Sequence, residues 1–381
     1  MLSLKKLSTN LLRNCGPLGA VSTSLYGSTS QPSPSRPRAT EPPKRVVFIS
    51  QSTDVFSNLA FEDWLYKNWS FEKRSILFLW RNSPCVVIGR HQNPLVEANI
   101  PYLESAGVPV ARRGSGGGAV YHDHGNLNCT FFTARERYDR RQNLELICNV
   151  LNHDFGIQAR ANSRDDIVVG HDNKVSGTAA KLGRTSAYHH CTLLVRTDRQ
   201  QLRLALQGDK TIQIKATHSV SSPVANLGDI GGKDMTVEKL LASLGRTYLT
   251  EQEQDPRLAN GFTLVNPTDD WFPGLGKIEA DLRSGEWIEG KTPRFTIRRS
   301  VSLPPCLAGT SASANITVQA YHGVVEEVRL EDGLMACEEL TDLVLDISTS
   351  LKGTPYTPGI FCDISNRLRV PQPLHTQRSF L

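Results

Sequence analysis

Four glycines in five positions, Gly114 and Gly116 to Gly118, stand between two arginines and a Tyr-His-Asp run at Tyr121 to Asp123. Glycine reaches φ > 0 without a Cβ clash, so such a loop folds tightly and can press its N–H groups against a ligand. An array of N–H donors suits an anion, and Arg112 and Arg113 at the loop mouth add full charges. A glycine run alone reads as a hairpin with a flexible tip. The flanking arginines and the His122–Asp123 pair favour a binding loop instead. A second cluster follows at Lys174 to Lys181, with a Ser-Gly-Thr turn at Ser176 to Thr178, and then His189, His190, Cys191 and Thr192. A lysine at a strand start beside such a turn can act as a fixed positive charge. An acyl phosphate anhydride needs one near its carbonyl and phosphate oxygens, where donors already in place stabilise the developing oxyanion. Alone, Lys174 reads as a solvated hairpin lysine; together with the glycine loop it reads as catalytic. Cys191, in an apolar strand, reads as core rather than as a thioester nucleophile.

The pattern supplies elements to hold these residues. Gly107 to Arg113 is a β-type run entering the loop, and Thr130 to Phe132 reads as a buried strand leaving it. Upstream, Val46 to Ser50 reads as a strand and Asp54 to Trp69 as a helix capped by Asp54, with Leu59, Trp64 and Leu65 on its apolar stripe. Ile76 to Trp80 and Cys85 to Ile88 flank a turn-like Arg81–Pro84 and predict a hairpin. Val96 to Ala106, Leu144 to Phe155 and Leu202 to Gln207 read as helices. Asp166 to Val169 and Lys174 to Ser176 read as strands across a turn, and Thr192 to Val195 as another. Beyond Phe262 the texture changes: Asn266 to Asp270 is linker-like, Gly276 to Gly290 reads as a helix, and Arg294 to Leu303, Ile316 to Ala320 and Val324 to Leu330 as strands before a helix over Met335 to Leu351. A boundary near residue 268 and an α+β fold with mixed, largely antiparallel sheets follow from this reading.

Composition bounds the class. The chain has 381 residues, enough for two units with a sizeable core. Its first forty residues contain no acid, eight serines and the basic residues Lys5, Lys6, Arg13, Arg36 and Arg38, with leucines at helical spacing. That is the composition of a mitochondrial transit peptide, followed by a proline-rich linker to residue 44. The formal charge of +5 resides in that segment. The remainder is neutral, so nothing asks for nucleic acid or an anionic membrane. No stretch approaches the ~18–20 apolar residues of a transmembrane helix. Eight scattered cysteines without a Cys-x-x-Cys pair argue against a metal site or a disulfide framework.

Three segments occur in one order: 81–93, 112–123 and Lys174 to Ala179. Order and spacing together resemble the lipoate–protein ligase A family, over roughly residues 46–381, with Trp287 to Phe295 similar to the start of that family's accessory domain. The resemblance implies a biotin/lipoate ligase-like α+β catalytic domain over 45–268 and a small α+β accessory domain over 269–381. It implies transfer of a lipoyl group from lipoyl-AMP, or from a lipoylated carrier, to one lysine of apo lipoyl domains. The acceptors would be E2 subunits of 2-oxo acid dehydrogenase complexes and the glycine cleavage H protein, in the mitochondrial matrix. Arg112, Ser115, Gly116, Gly117, Gly118, Ala119, Val120 and Tyr121 would line the lipoyl-adenylate site, and Lys174 would contact the acyl carbonyl and phosphate. Arg164, Thr192 and the loop 217–222, with Val220 and Ser222, would add adenylate contacts. Val86 to Ile88 and Leu127 would wall the lipoyl channel, and His122 with Asp123 would assist proton removal or fix the loop. No tightly bound cofactor and no metal are implied. Two alternatives remain at this point: a full ligase that makes the adenylate from lipoate, ATP and Mg²⁺, and a non-catalytic binder of lipoyl domains.

Overall fold

The computed structural model describes residues 43–369 apart from 216–217, 220–221, 232–233, 251–260, 305–306, 308–312 and 332–337. The basic N-terminal segment and Val220 lie outside the described residues.

Strand β1 (Lys44–Ser50) leads into helix α1 (Val55–Asn68), started by Asp54, whose carboxylate accepts the Ser57 N–H at 2.8 Å. The chain returns as β2 (Arg74–Trp80), parallel to β1. Next comes β3 (Cys85–Ile88), but the expected β2–β3 hairpin does not form. Both edges of β2 are taken, by β1 and by the later strand Asn126–Ala134, while β3 opens a separate sheet. The turn between them is drawn inward: Asn82 is fully buried, its Oδ1 accepting from Asn58 Nδ2 at 2.9 Å. The single helix expected over 96–106 is two short ones, α2 (Pro94–Glu97) and α3 (Ile100–Ser105). Ala98 between them is extended, and Asn99 caps the restart two residues before Pro101, which cannot donate an intrahelical bond.

Strands β4 (Val110–Arg112) and β5 (Val120–His122) flank β3, parallel and antiparallel respectively. Strand β6 (Asn126–Ala134) precedes α4 (Arg140–Phe155), which ends at Gly156 in the left-handed region, φ 64°. A small antiparallel sheet, β7 (Ala159–Ala161), β8 (Ile167–Val169) and β9 (Asn173–Lys174), carries the expected 166–176 hairpin. Then come β10 (Thr178–Leu182), β11 (Ser186–Leu194), α5 (Arg199–Ala205), β12 (Gln213–Ile214), α6 (Leu227–Ile230) and α7 (Val237–Thr250). After β13 (Phe262–Val265), the predicted 276–290 helix divides into α8 (Leu275–Arg283) and α9 (Gly285–Ile288). Ser284 between them is extended and caps α9 through the Trp287 N–H. Strands β14 (Phe295–Ser302), β15 (Ser313–Tyr321) and β16 (Val324–Leu330) and helices α10 (Glu338–Leu351) and α11 (Ile360–Arg369) complete the described chain.

The main sheet runs β10-β11-β6-β2-β1-β13, antiparallel on one side and parallel on the other. Strand alternation sorts its side chains. Leu77, Leu79, Cys129 and Phe131 face a layer containing α4 and α7, whereas Ile76, Phe78, Trp80 and Phe132 face α1 and α8. Each of the fully buried Phe or Leu side chains contributes about 1.5–3 kcal/mol. Val265, Phe272, Leu275 and Leu282 share one core with Phe61 and Trp64, so a division at residue 268 would run through continuous packing. The second antiparallel sheet, β12-β14-β15-β16, starts its long strands at Phe295 and packs on α10 and α11.

Candidate active site

A cavity of about 280 Å³ opens beside the glycine loop, walled by β5, β6, β10 and β11 and by the hairpin β8–β9. Alternation along β5 decides which predicted residues reach it. Val120 and His122 line the cavity; Tyr121 faces away, packed with Val86, Ile88 and Leu103. Tyr121 therefore does not occupy the place expected of it against an acyl phosphate. By the same rule Val87 lines the cavity, whereas Val86, Ile88 and Leu127 point into neighbouring cores. Leu59 and Trp80 supply the rest of the apolar wall.

The two arginines also part company. Arg113 lines the cavity and holds the loop from inside, donating to Gly118 O at 2.8 Å, Val87 O at 3.2 Å and Ser115 Oγ at 3.0 Å. Burial pushes its pKa down to about 10, still a cation at neutral pH. Arg112 lies outside the cavity, completely buried. Its guanidinium donates to the carbonyls of Arg90 at 3.0 Å, Gln92 at 2.7 Å and Ile288 at 2.9 Å, and to Thr292 Oγ1 at 3.1 Å. Arg112 thus fastens α9 to the loop after β3 rather than lining the site. Gly118 and Ala119 line the cavity, while Ser115, Gly116 and Gly117 shape the loop behind it. Gly117 sits at φ 86°, and a Cβ on Gly89 would meet the Gly117 carbonyl oxygen at 2.1 Å, so the loop lies directly on the end of β3.

Ser115 is anchored by a chain that the sequence did not reveal. Its hydroxyl lies 2.9 Å from His190 Nε2, and His190 Nδ1 lies 2.9 Å from Glu62 Oε1. Glu62 also accepts from Thr130 Oγ1 at 2.8 Å, which in turn accepts from Trp80 Nε1 at 3.0 Å. The available signal was a carboxylate among the buried positions of α1, where an unpaired charge is costly.

At the mouth, Lys174 Nζ is 2.7 Å from Asp166 Oδ1, the two being 25% and 10% exposed. Lys174 ends β9 opposite Val168, and Asp166 immediately precedes β8. Arg164, Thr192 and Ser222 line the same region. Thr192 Oγ1 accepts the Gly177 N–H at 2.9 Å, fixing the turn after Lys174. Asp123 is not a partner of His122: its carboxylate accepts from the Gly125 and Asp198 N–H groups at 2.9 and 2.8 Å and ties two loops together. Cys191 is on the wall, 3% exposed and in register with Cys129. Cys191→Ser is expected to retain most transfer activity, measured by intact mass of an acceptor. Complete loss would reopen a thioester route.

A cavity under a glycine loop, lined both by apolar side chains and by Arg113, Lys174 and Arg164, suits an activated acyl group, and similarity to known proteins agrees. The family profile of the lipoyl protein ligase A/B catalytic domain matches residues 54–248. The chain belongs to this family, with its α+β ligase fold, and is an acyltransferase that moves a lipoyl group onto protein. It is 43% identical to the mitochondrial lipoyl amidotransferase LIPT1 of Mus musculus, over 69% of this chain and 70% of that one. The Homo sapiens counterpart is 45% identical over 67% and 68%. The solved structure of P. falciparum LipL1 in complex with lipoate aligns with a TM-score of 0.57 at 26% identity, covering 86% of this chain and 96% of that chain. The two amidotransferases are mitochondrial, and the acid-free basic start of this chain agrees with a mitochondrial address.

Proposed function

We propose that the cavity holds lipoyl-adenylate, with the acyl chain between Leu59, Trp80, Val87 and Val120 and the carbonyl and phosphate at the Lys174 mouth. One observation carries this reading: Lys174, held by Asp166, lines the same cavity as Arg164 and Ser222 and as the apolar Leu59, Trp80, Val87 and Val120. The neutral amine of an acceptor lysine attacks the carbonyl, its C–N bond forms, AMP leaves with the electrons of the broken C–O bond, and the proton lost by the nitrogen goes to solvent. Lys174 stabilises the oxyanion and the departing phosphate, with Ser222, Thr192 and the Gly118–Val120 stretch as further contacts. Arg112 and Asp123 act from behind, as fasteners.

The acceptors on this reading are apo lipoyl domains of 2-oxo acid dehydrogenase E2 subunits, in the mitochondrial matrix, with the glycine cleavage H protein as acceptor or as donor. The catalytic unit extends through α9, because α8 packs on α1. The test supplies chain lacking residues 1–40 with an apo acceptor domain and either lipoyl-adenylate alone or lipoate, ATP and Mg²⁺. A lipoyl mass increase with the adenylate only is expected. An increase with both would make the protein a complete ligase, and none with either would reject the adenylate site.

A further inference from the structure

Two side chains that line the cavity each carry a polar atom with no hydrogen-bond partner among the described residues: His122 at Nε2 and Asn128 at Nδ2. Both residues are about 2% exposed, so water does not serve them in bulk. What His122 offers there is fixed by a chain of buried amides. Asn58 Nδ2 lies 3.0 Å from Ser52 O and 3.2 Å from Arg81 O, and carbonyls only accept, so this end of Asn58 is the NH₂. The same NH₂ is 2.9 Å from the Asn82 side chain, which must turn its Oδ1 toward it. The Asn82 NH₂ then faces the other way, 3.0 Å from His122 Nδ1, with Cys85 Sγ at 3.7 Å. An NH₂ can only donate, so Nδ1 bears the lone pair and the ring proton sits on Nε2. Burial keeps the ring neutral, its pKa pushed down to about 3, with Arg113 and His190 adding to the effect. The ring is also held edge-on to Trp80, centroids 6.1 Å apart.

His122 therefore contributes an unpaired N–H donor to a lining that also includes the apolar Leu59, Trp80, Val87 and Val120. Asn128, whose Oδ1 accepts from Asn126 Nδ2 at 3.1 Å, adds a second polar group to the same lining. A saturated acyl chain leaves both without an acceptor. A chain ending in a dithiolane ring brings sulfur, a soft acceptor, to the part of the cavity that a phosphate at the mouth does not reach. We propose that His122 reads the far end of the acyl chain, its Nε2–H donating to a dithiolane sulfur, so that the site prefers lipoyl over saturated chains of equal length. This rests on the reading that the cavity holds the acyl group. The preference is modest, because sulfur accepts weakly, and it arises mainly from the donor left unpaired by the wrong chain.

The test measures transfer to an apo acceptor domain from two adenylates, lipoyl and a carbocyclic analogue with CH₂–CH₂ in place of S–S, which keeps ring shape and removes the acceptor. The wild-type protein should transfer lipoyl about five- to tenfold faster in kcat/KM, the effect of one neutral hydrogen bond. His122→Leu should bring the ratio close to one, and His122→Gln, which retains an N–H at similar reach, should restore part of it. Equal wild-type rates for the two adenylates would overturn the proposal, and so would a full wild-type ratio in His122→Leu. Should the leucine variant not fold, the wild-type comparison alone decides. Failure of the wild-type protein to transfer either adenylate would instead reject the acyl-adenylate site itself.

Discussion

Lys174→Ala is expected to lower transfer from lipoyl-adenylate by about 10²–10³-fold, the cost of removing one preorganised oxyanion donor. The side chain projects from a two-residue strand whose backbone N–H is bonded to Pro223 O at 2.9 Å, so truncation leaves the strand in place. Asp166, only 10% exposed, loses its partner, and some stability goes with it. Affinity for the acceptor domain should persist, since that protein meets the mouth from outside. Rates by intact mass and acceptor affinity by calorimetry separate the two. Unchanged transfer would remove Lys174 from the chemistry, and Lys174→Arg should keep part of the activity because a cation remains.

The largest stability effect is expected at a residue the sequence placed in the site. Arg112→Leu should lower unfolding free energy by about 3–5 kcal/mol, because several buried carbonyls lose their donor at once. Those of Arg90, Gln92 and Ile288 belong to two segments far apart in sequence, and Trp287 Nε1 donates back to the Arg112 carbonyl at 2.7 Å. Burial lowers the Arg112 pKa to about 10, opposed by the nearby Glu289 carboxylate, so the side chain stays charged at neutral pH. Denaturant unfolding of the variant measures the loss. A change below about 1 kcal/mol would mean that the carbonyls find other donors.

These two residues show where the sequence was legible. The place of Lys174 in the chain was readable because a short hairpin is set by local pairing; the hairpin formed, with Lys174 as the last residue of β9 rather than the first of a strand. Arg112 and Arg113 are adjacent, so they leave the chain on opposite sides, and composition does not say which side holds the cavity. Register against β3 decides it, and the same register turns Tyr121 away and His122 inward. The β2–β3 hairpin failed for a related reason: Asn82 in the turn is held by Asn58 from α1, a contact across 24 residues. Glu62 was hidden because its partners, Thr130 and His190, come from β6 and β11. Fold class, the glycine loop and the hairpin that carries Lys174 were visible as local patterns. The direction of each side chain was not, because it depends on strand pairs distant in the chain.

The two-residue strand β12 belongs by sequence to the part of the chain before residue 268 yet forms the first strand of the C-terminal sheet, Ile214 opposite Phe295. Ile212 enters the same small core as Phe295 and Ile297, and Arg299 reaches back to Asp209 at 2.5 Å. The two halves are therefore interleaved rather than strung in series. A chimera that joined this front half to the rear of a relative at any crossover from 215 to 294 would split a sheet between two parents. Compatible recombinants would have to exchange residues 209–214 together with the rear, which makes inheritance of that short segment a marker of which rear half a sequence has evolved with.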